Sequence, residues 1–242
     1  MAATDGLALT SRTEAVELER QRVRLKWKNS MRSRITQMMR HCGVPPKFAA
    51  EQESTVSSGL WHSIDCIFSA QGLYIFGRSG VGKTHIATLC VKTFILRMEP
   101  VFRGETGTVP QEAEYPLFTT AADMLLSVRD SFRQRDFSEN DMLKRYSSAP
   151  LLVLDDLGGE KVTEWSAKTL YTVINRRYAG VLPVIITSAM NLKELEDRYN
   201  APGSQTGSAM AQRISETSKI LSLQPAQKKT ASGRKRRTDE RV

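Results

Sequence analysis

The residues best suited to chemistry form one short stretch, Gly77-Arg78-Ser79-Gly80-Val81-Gly82-Lys83-Thr84. Two glycines five apart followed by Lys-Thr is the spacing of a P-loop. The apolar run LYIF precedes it and the helical pattern HIATLCVKTFILRM follows, which is the strand, loop and helix setting that such a loop requires. Gly77, Gly80 and Gly82 let the backbone turn tightly, so that amide groups and the helix N-terminus can hold phosphate oxygens. Lys83 adds a point charge for the β and γ oxygens, and the Thr84 hydroxyl can ligate Mg²⁺. With Arg78, Ser79, Val81 and His85 these residues make the candidate ATP-binding set.

A second cluster stands in LLVLDDLG, residues 151–158. An unbroken apolar strand that ends in two acids is expected where a buried parallel strand delivers its C-terminal end to a ligand crevice. Asp155 fits the role of holding the Mg²⁺ shell. Asp156 fits the role of orienting or deprotonating an attacking water.

Positioning these groups takes an alternation of strands and helices. Strands are expected near residues 73–76, 116–119, 151–155, 183–187 and 219–223, with helical text between them, giving a doubly wound parallel α/β sheet. The fourth strand ends in Thr187-Ser188, which brings small hydroxyls to the same crevice, and Ser188 joins the candidate binding set. Segments between the second and third strands carry Arg133, Arg135, Lys144 and Arg145. Phe132 among them is expected on a helix's inner face, with base stacking as its other reading.

Charge is unevenly placed. Of the net +9, residues 11–41 hold nine Lys/Arg against three Glu, and residues 225–242 hold seven Lys/Arg against two acids, so the middle is near neutral. The last stretch has little apolar surface to bury and is expected as a basic, disordered tail, either solubilising or attracted to nucleic-acid phosphates. The first stretch opens on Ser11-x-x-Glu14, a capping-box pattern, and then places Val23, Trp27, Met31, Ile35 and Met38 at helical spacing. Cys42-Gly43 and Pro45-Pro46 stop that helix. Its stripe could pack back on the domain; a docking helix for a partner protein is the favoured reading. The expected organisation is a basic helical arm over 1–45, an ATPase domain over 46–224 and the tail over 225–242.

At 242 residues, 40% of them hydrophobic and 25% charged, the chain suits one α/β domain with a small extension. No apolar run approaches the ~18 residues that a membrane span needs. The start, MAATDGLALTSRTE, lacks a secretory pattern, so a cytoplasmic protein is expected. Cys42, Cys66 and Cys90 include no C-x-x-C pair, which argues against a disulfide framework or a zinc site, and His41 beside Cys42 does not alter that.

GRSGVGKT, LLVLDDLGGEKVTEW and LYTVINRRYAGVLPVIITS together resemble the AAA+ ATPases of the DnaC/IstB type, a group that includes bacterial and phage replicative-helicase loaders. The resemblance runs from about residue 43 to 223. It implies a five-stranded sheet of order 5-1-4-3-2, ATP bound between subunits of a homo-oligomer, and an arginine supplied in trans. Arg213 matches that finger position and is the third candidate catalytic residue beside Lys83 and Asp156, with Arg176 and Arg177 as competitors. The implied function is that of a DnaC-like helicase loader, which binds ATP and single-stranded DNA and delivers a DnaB-type helicase, gripped through residues 11–41. An IstB-like transposition ATPase and a nucleotide-gated adaptor with weak or no hydrolysis are the alternatives.

The sequence also departs from the pattern. Thr187-Ser188-Ala189 stands where the family has Thr-Ser-Asn, with Asn191 two residues on. A later sensor arginine is not recognisable, since Ser232-Gly233-Arg234 falls in the tail. Residues 99–114 form a longer polar insertion than the fold needs.

Overall fold

The computed structural model describes residues 2–50, 71–98, 101–103, 106–108, 115–132, 138–200 and 203–224; side chains before residue 14 and between 99 and 114 are not described. The elements in chain order are α1 (Ala2–His41), α2 (Pro46–Ala49), β1 (Gly72–Phe76), α3 (Lys83–Arg97), β2 (Val101–Arg103), β3 (Thr106–Thr108), β4 (Leu117–Thr120), α4 (Ala121–Ser131), α5 (Glu139–Ser148), β5 (Leu152–Leu157), α6 (Glu164–Ala179), β6 (Val184–Ser188), α7 (Leu192–Tyr199), α8 (Thr206–Thr217) and β7 (Ser218–Ser222).

Five strands form one parallel sheet in the order β4-β5-β6-β1-β7. Counted along the chain and read from the β7 edge, this is 5-1-4-3-2, the order that the resemblance implied. Their apolar runs are continuous because helices cover both faces. Alternation along each strand divides the core. Leu73, Ile75, Leu151, Val153 and Ile185 face one side with α3 and the end of α1, whereas Tyr74, Leu152, Leu154, Val184 and Ile186 face α4, α6, α7 and α8. The polar insertion contains a small antiparallel hairpin, β2 with β3, which no signal in the sequence had marked.

Most helix starts follow local rules. Thr120, Ser138, Thr163 and Asn191 each cap a helix by accepting a backbone N–H from three residues on. The arm departs from expectation in two ways. Its helix continues through Ser11 back to Ala2, so Ser11 is not a cap. Its stripe is also not left for a partner, because Met31 and Met39 are buried and Trp27, Ile35 and Met38 pack on the α3 side of the core. The Trp27 indole N–H donates to Met98 O at 3.1 Å, at the far end of α3. After α1 the chain turns at Gly43, and Phe118 N donates to Cys42 O at 2.7 Å, which stitches the arm to edge strand β4. The second half of α1 therefore packs into the core. Among the described residues, no helix is long and apolar enough to cross a membrane.

Candidate functional site

The site lies where β1 runs into α3. Gly77 has φ +150°, and a Cβ there would sit 2.4 Å from Leu223 O, so the loop's entry fits closely against the chain leaving β7. Gly80 (φ +81°) and Gly82 (φ +96°) follow, and a Cβ at either would meet nothing within 4 Å. Gly82 caps α3 without any side-chain hydrogen bond and no acid stands in its first turn. The first turn of α3 thus begins with no side-chain cap, which suits an anion. Lys83 Nζ donates to Gly77 O at 2.8 Å and to Arg78 O at 2.9 Å, folding the ammonium back over the loop.

Thr84 and Asp155 meet across the crevice. The Thr84 hydroxyl lies 3.1 Å from both carboxylate oxygens of Asp155, and the Thr187 hydroxyl donates to Oδ1 at 2.6 Å. Asp155 is 7% exposed. Burial pushes its carboxyl above the usual range, against the hydrogen bonds from Thr187 and Thr84. A buried carboxylate held by hydroxyls alone, beside an uncapped helix start, is a donor set that fits a hard divalent cation such as Mg²⁺. Asp156 points elsewhere. It is exposed, its backbone is left-handed at φ +57°, and its N–H donates to Thr187 Oγ1 at 2.9 Å. The break in register between Leu154 and Leu157 releases it from the ladder.

The family of the IstB-like ATP binding protein matches residues 17–238. The chain belongs to the IstB-like ATP-binding family. It is also similar to the replicative helicase loader DnaC of Escherichia coli, 26% identical over 123 residues covering 50% of this chain and 44% of DnaC. The replicative helicase loader DnaI of Bacillus subtilis is 24% identical over 131 residues, 53% of this chain and 36% of DnaI. This chain thus spans less than half the length of either relative. Among solved structures, DnaI superposes with a TM-score of 0.60 at 18% identity, covering 74% of this chain and 94% of that one. The DnaC helicase loader gives 0.54 at 21% identity, covering 76% and 99%. AMPPCP-bound DnaA from Aquifex aeolicus gives 0.52 at 16% identity, covering 69% and 47%. The fold is therefore AAA+, as the resemblance implied.

Within this IstB-like domain the structure brings Lys83, Thr84 and Asp155 together at the loop of residues 77–85, but not every candidate. The Ser188 hydroxyl is fully buried, donating to Leu157 O at 2.7 Å and accepting from Met190 N, so it closes the backbone rather than facing the loop. Strand parity explains why. Thr187 shares the Ile185 face with Asp155, and Ser188 lies on the opposite one. Asn191 caps α7 and its side chain is committed to Glu194 N. Arg213 lies on α8, its guanidinium 4.3 Å from the Tyr178 ring centre and 3.4 Å from Glu216. Arg177 drops out as a finger, being wholly buried and donating to the carbonyls of Tyr146, Ala149 and Pro183. Arg176 is exposed and reaches Asn140 Oδ1 at 3.2 Å.

Other readings change as well. Phe132, expected on an inner face, is 57% exposed at the end of α4, and Lys144 and Arg145 are exposed on α5. Arg133, Arg135, Cys66, Arg234 and the basic tail lie outside the described residues. Glu160, the acid that the sequence offers as base should Asp156 not serve, stands in the same turn. It is 8% exposed and joins the turn after Asp156 to α7, a contact no spacing rule reveals because its partner Tyr199 is 39 residues away.

Proposed function

We propose that this chain is an ATP-dependent, DnaC-like helicase loader. It would assemble as a homo-oligomer, hold single-stranded DNA and deliver a DnaB-type helicase to it. The observation that carries the reading is the Thr84–Asp155 contact beneath an open glycine loop, in a chain whose relatives are named replicative helicase loaders. ATP would bind along residues 77–85. Lys83 would exchange the Gly77 and Arg78 carbonyls for phosphate oxygens, so the free loop is held in shape by the ammonium that later grips the ligand. Thr84 and Asp155 would hold Mg²⁺, which when bound supplies charge that stabilises the leaving phosphate oxygens. Asp156, exposed and next in sequence to Asp155, would orient the attacking water and accept its proton. Arg213 of a neighbouring subunit would leave its stack on Tyr178 to stabilise charge at the γ-phosphate, which makes turnover depend on assembly.

Exposed Phe132, with Lys144 and Arg145 nearby in sequence, favours contact with unpaired bases and their phosphates. Leu18, between Glu17 and Glu19, and Leu25, between Arg24 and Lys26, are 55% and 62% exposed on α1 and would be the helicase-facing part of the arm. The decisive experiment is loading of the cell's DnaB-type helicase onto a single-stranded DNA circle with ATP. Wild-type protein should raise unwinding and Lys83→Ala should not. Equal unwinding with and without the protein would overturn the loader reading. The IstB-like family supports a second one, a transposition ATPase, which predicts ATP-dependent binding to duplex DNA and capture of a transposase.

A further inference from the structure

The turn that presents Asp156 holds an unfavourable backbone in place. Asp156 itself is left-handed at φ +57°, and Gly158 follows at φ +92° with the Met190 sulfur 3.2 Å from where its Cβ would lie. Such a backbone persists only where its surroundings fix it. Three groups do so. Thr187 accepts the Asp156 N–H, and Ser188 donates to Leu157 O. Glu160 supplies the rest. Its Oε2 accepts the Gly158 N–H at 3.1 Å, and its Oε1 accepts the Tyr199 hydroxyl at the end of α7. The next residue back, Arg198, donates to Glu160 O at 2.9 Å. Tyr199 is buried, and burial with the adjoining Glu160 carboxylate pushes its hydroxyl far above the ordinary phenol range, so it stays a donor.

We propose that Glu160 is a positioning residue for ATP hydrolysis, its carboxylate clamping the turn after Asp156 to Tyr199 so that the Asp156 backbone, and with it the carboxylate, is held in one place. This deepens the reading of Asp156 given above and rests on it. Glu160 does not touch the crevice groups itself: both of its oxygens are spent on Gly158 and Tyr199. Loosening the clamp leaves residues 77–84 and Asp155 untouched, so nucleotide affinity is spared and the chemical step suffers, since small displacements of a catalytic group cost rate steeply.

The test is steady-state ATPase kinetics and Mg²⁺-nucleotide affinity for Glu160→Ala, Glu160→Gln, Tyr199→Phe and Asp156→Asn. Glu160→Ala should lower kcat about 10-fold or more with KM and Kd changed less than about 2-fold. Glu160→Gln should recover most of the rate, because its amide can accept from Gly158 N–H and donate to the tyrosine oxygen. Tyr199→Phe retains the ring's packing and should lower kcat several-fold at unchanged affinity, and it decides the matter if Glu160→Ala fails to fold. Wild-type kcat in Tyr199→Phe and in folded Glu160→Ala, with Asp156→Asn inactive, would overturn the clamp and leave the role of Asp156 standing. Normal turnover by Asp156→Asn would overturn both.

Discussion

At the scale of single residues the free protein pays for its chemistry at Asp155. A buried carboxylate whose partners are two hydroxyls keeps part of its desolvation cost, and the raised carboxyl is the sign of it. A carboxyl raised on folding opposes the folded state once pH exceeds its unfolded value. Asp155→Asn should accordingly stabilise the nucleotide-free protein by about 1 kcal/mol at neutral pH, read as a higher Tm, while calorimetry shows Mg²⁺-dependent nucleotide uptake lost. Cys42 obeys the same sign rule. Burial pushes its thiol up to about 12, so the neutral thiol is favoured by folding, and that contribution is lost as pH rises above the ordinary thiol value towards 12. Iodoacetamide at pH 8.5 should leave Cys42 unmodified in native protein and label it after denaturation, as read by peptide mass mapping. The glycines, Lys83, Thr84 and Asp155 stand out as candidates in the sequence because phosphate and metal chemistry restrict both residue type and spacing. Ser188 was misassigned because two adjacent hydroxyls look alike in sequence, and only the parity of β6 relative to Asp155 separates them.

At the scale of elements, the strands were legible within a residue or two because each is an apolar run ended by turn residues, whereas the hairpin of residues 101–108 is too short and polar to leave a period. Arg177 shows what element-level patterning hides. It follows Arg176 in a helix rich in polar residues and reads as a surface cation, yet it is wholly buried. Its guanidinium has no carboxylate partner among the described residues. It donates instead to Tyr146 O at 2.9 Å and Ala149 O at 2.8 Å, where α5 ends, and to Pro183 O at 2.6 Å before β6. Those carbonyls have no helical donors of their own. Burial lowers the Arg177 pKa to about 9, which still leaves it charged at neutral pH and matched to the negative end of α5. Arg177→Met fills similar volume but orphans the Tyr146 and Ala149 carbonyls, and should cost about 3 kcal/mol in urea denaturation. Arg177→Lys should restore part of that loss through its single ammonium.

At the scale of the whole molecule the arm has two halves with different jobs. Sequence patterning gave one helix with one apolar stripe, and a detached docking helix followed from the Gly-Pro-Pro boundary. The tertiary fold assigns the stripe from Trp27 onward to the core and ties Cys42 to β4, which a local pattern has no means of stating. Removing residues 1–41 therefore strips Trp27, Met31 and Met39 from the α3 side of the sheet. Large buried side chains cost about 2–5 kcal/mol each when deleted, so that truncation should unfold or badly destabilise the ATPase and says nothing about docking. Removing residues 1–25 is the informative cut. It takes Leu18, Leu25 and four of the arm's arginines while leaving every residue that the arm contributes to the buried core. The shortened protein should keep its Tm within a few degrees and its Mg²⁺-nucleotide affinity within about 2-fold, yet lose capture of a DnaB-type helicase in a pull-down. Capture that survives this cut at wild-type strength would move the helicase contact onto the ATPase domain itself, where the exposed faces of α4 and α5 would then be the surfaces to alter.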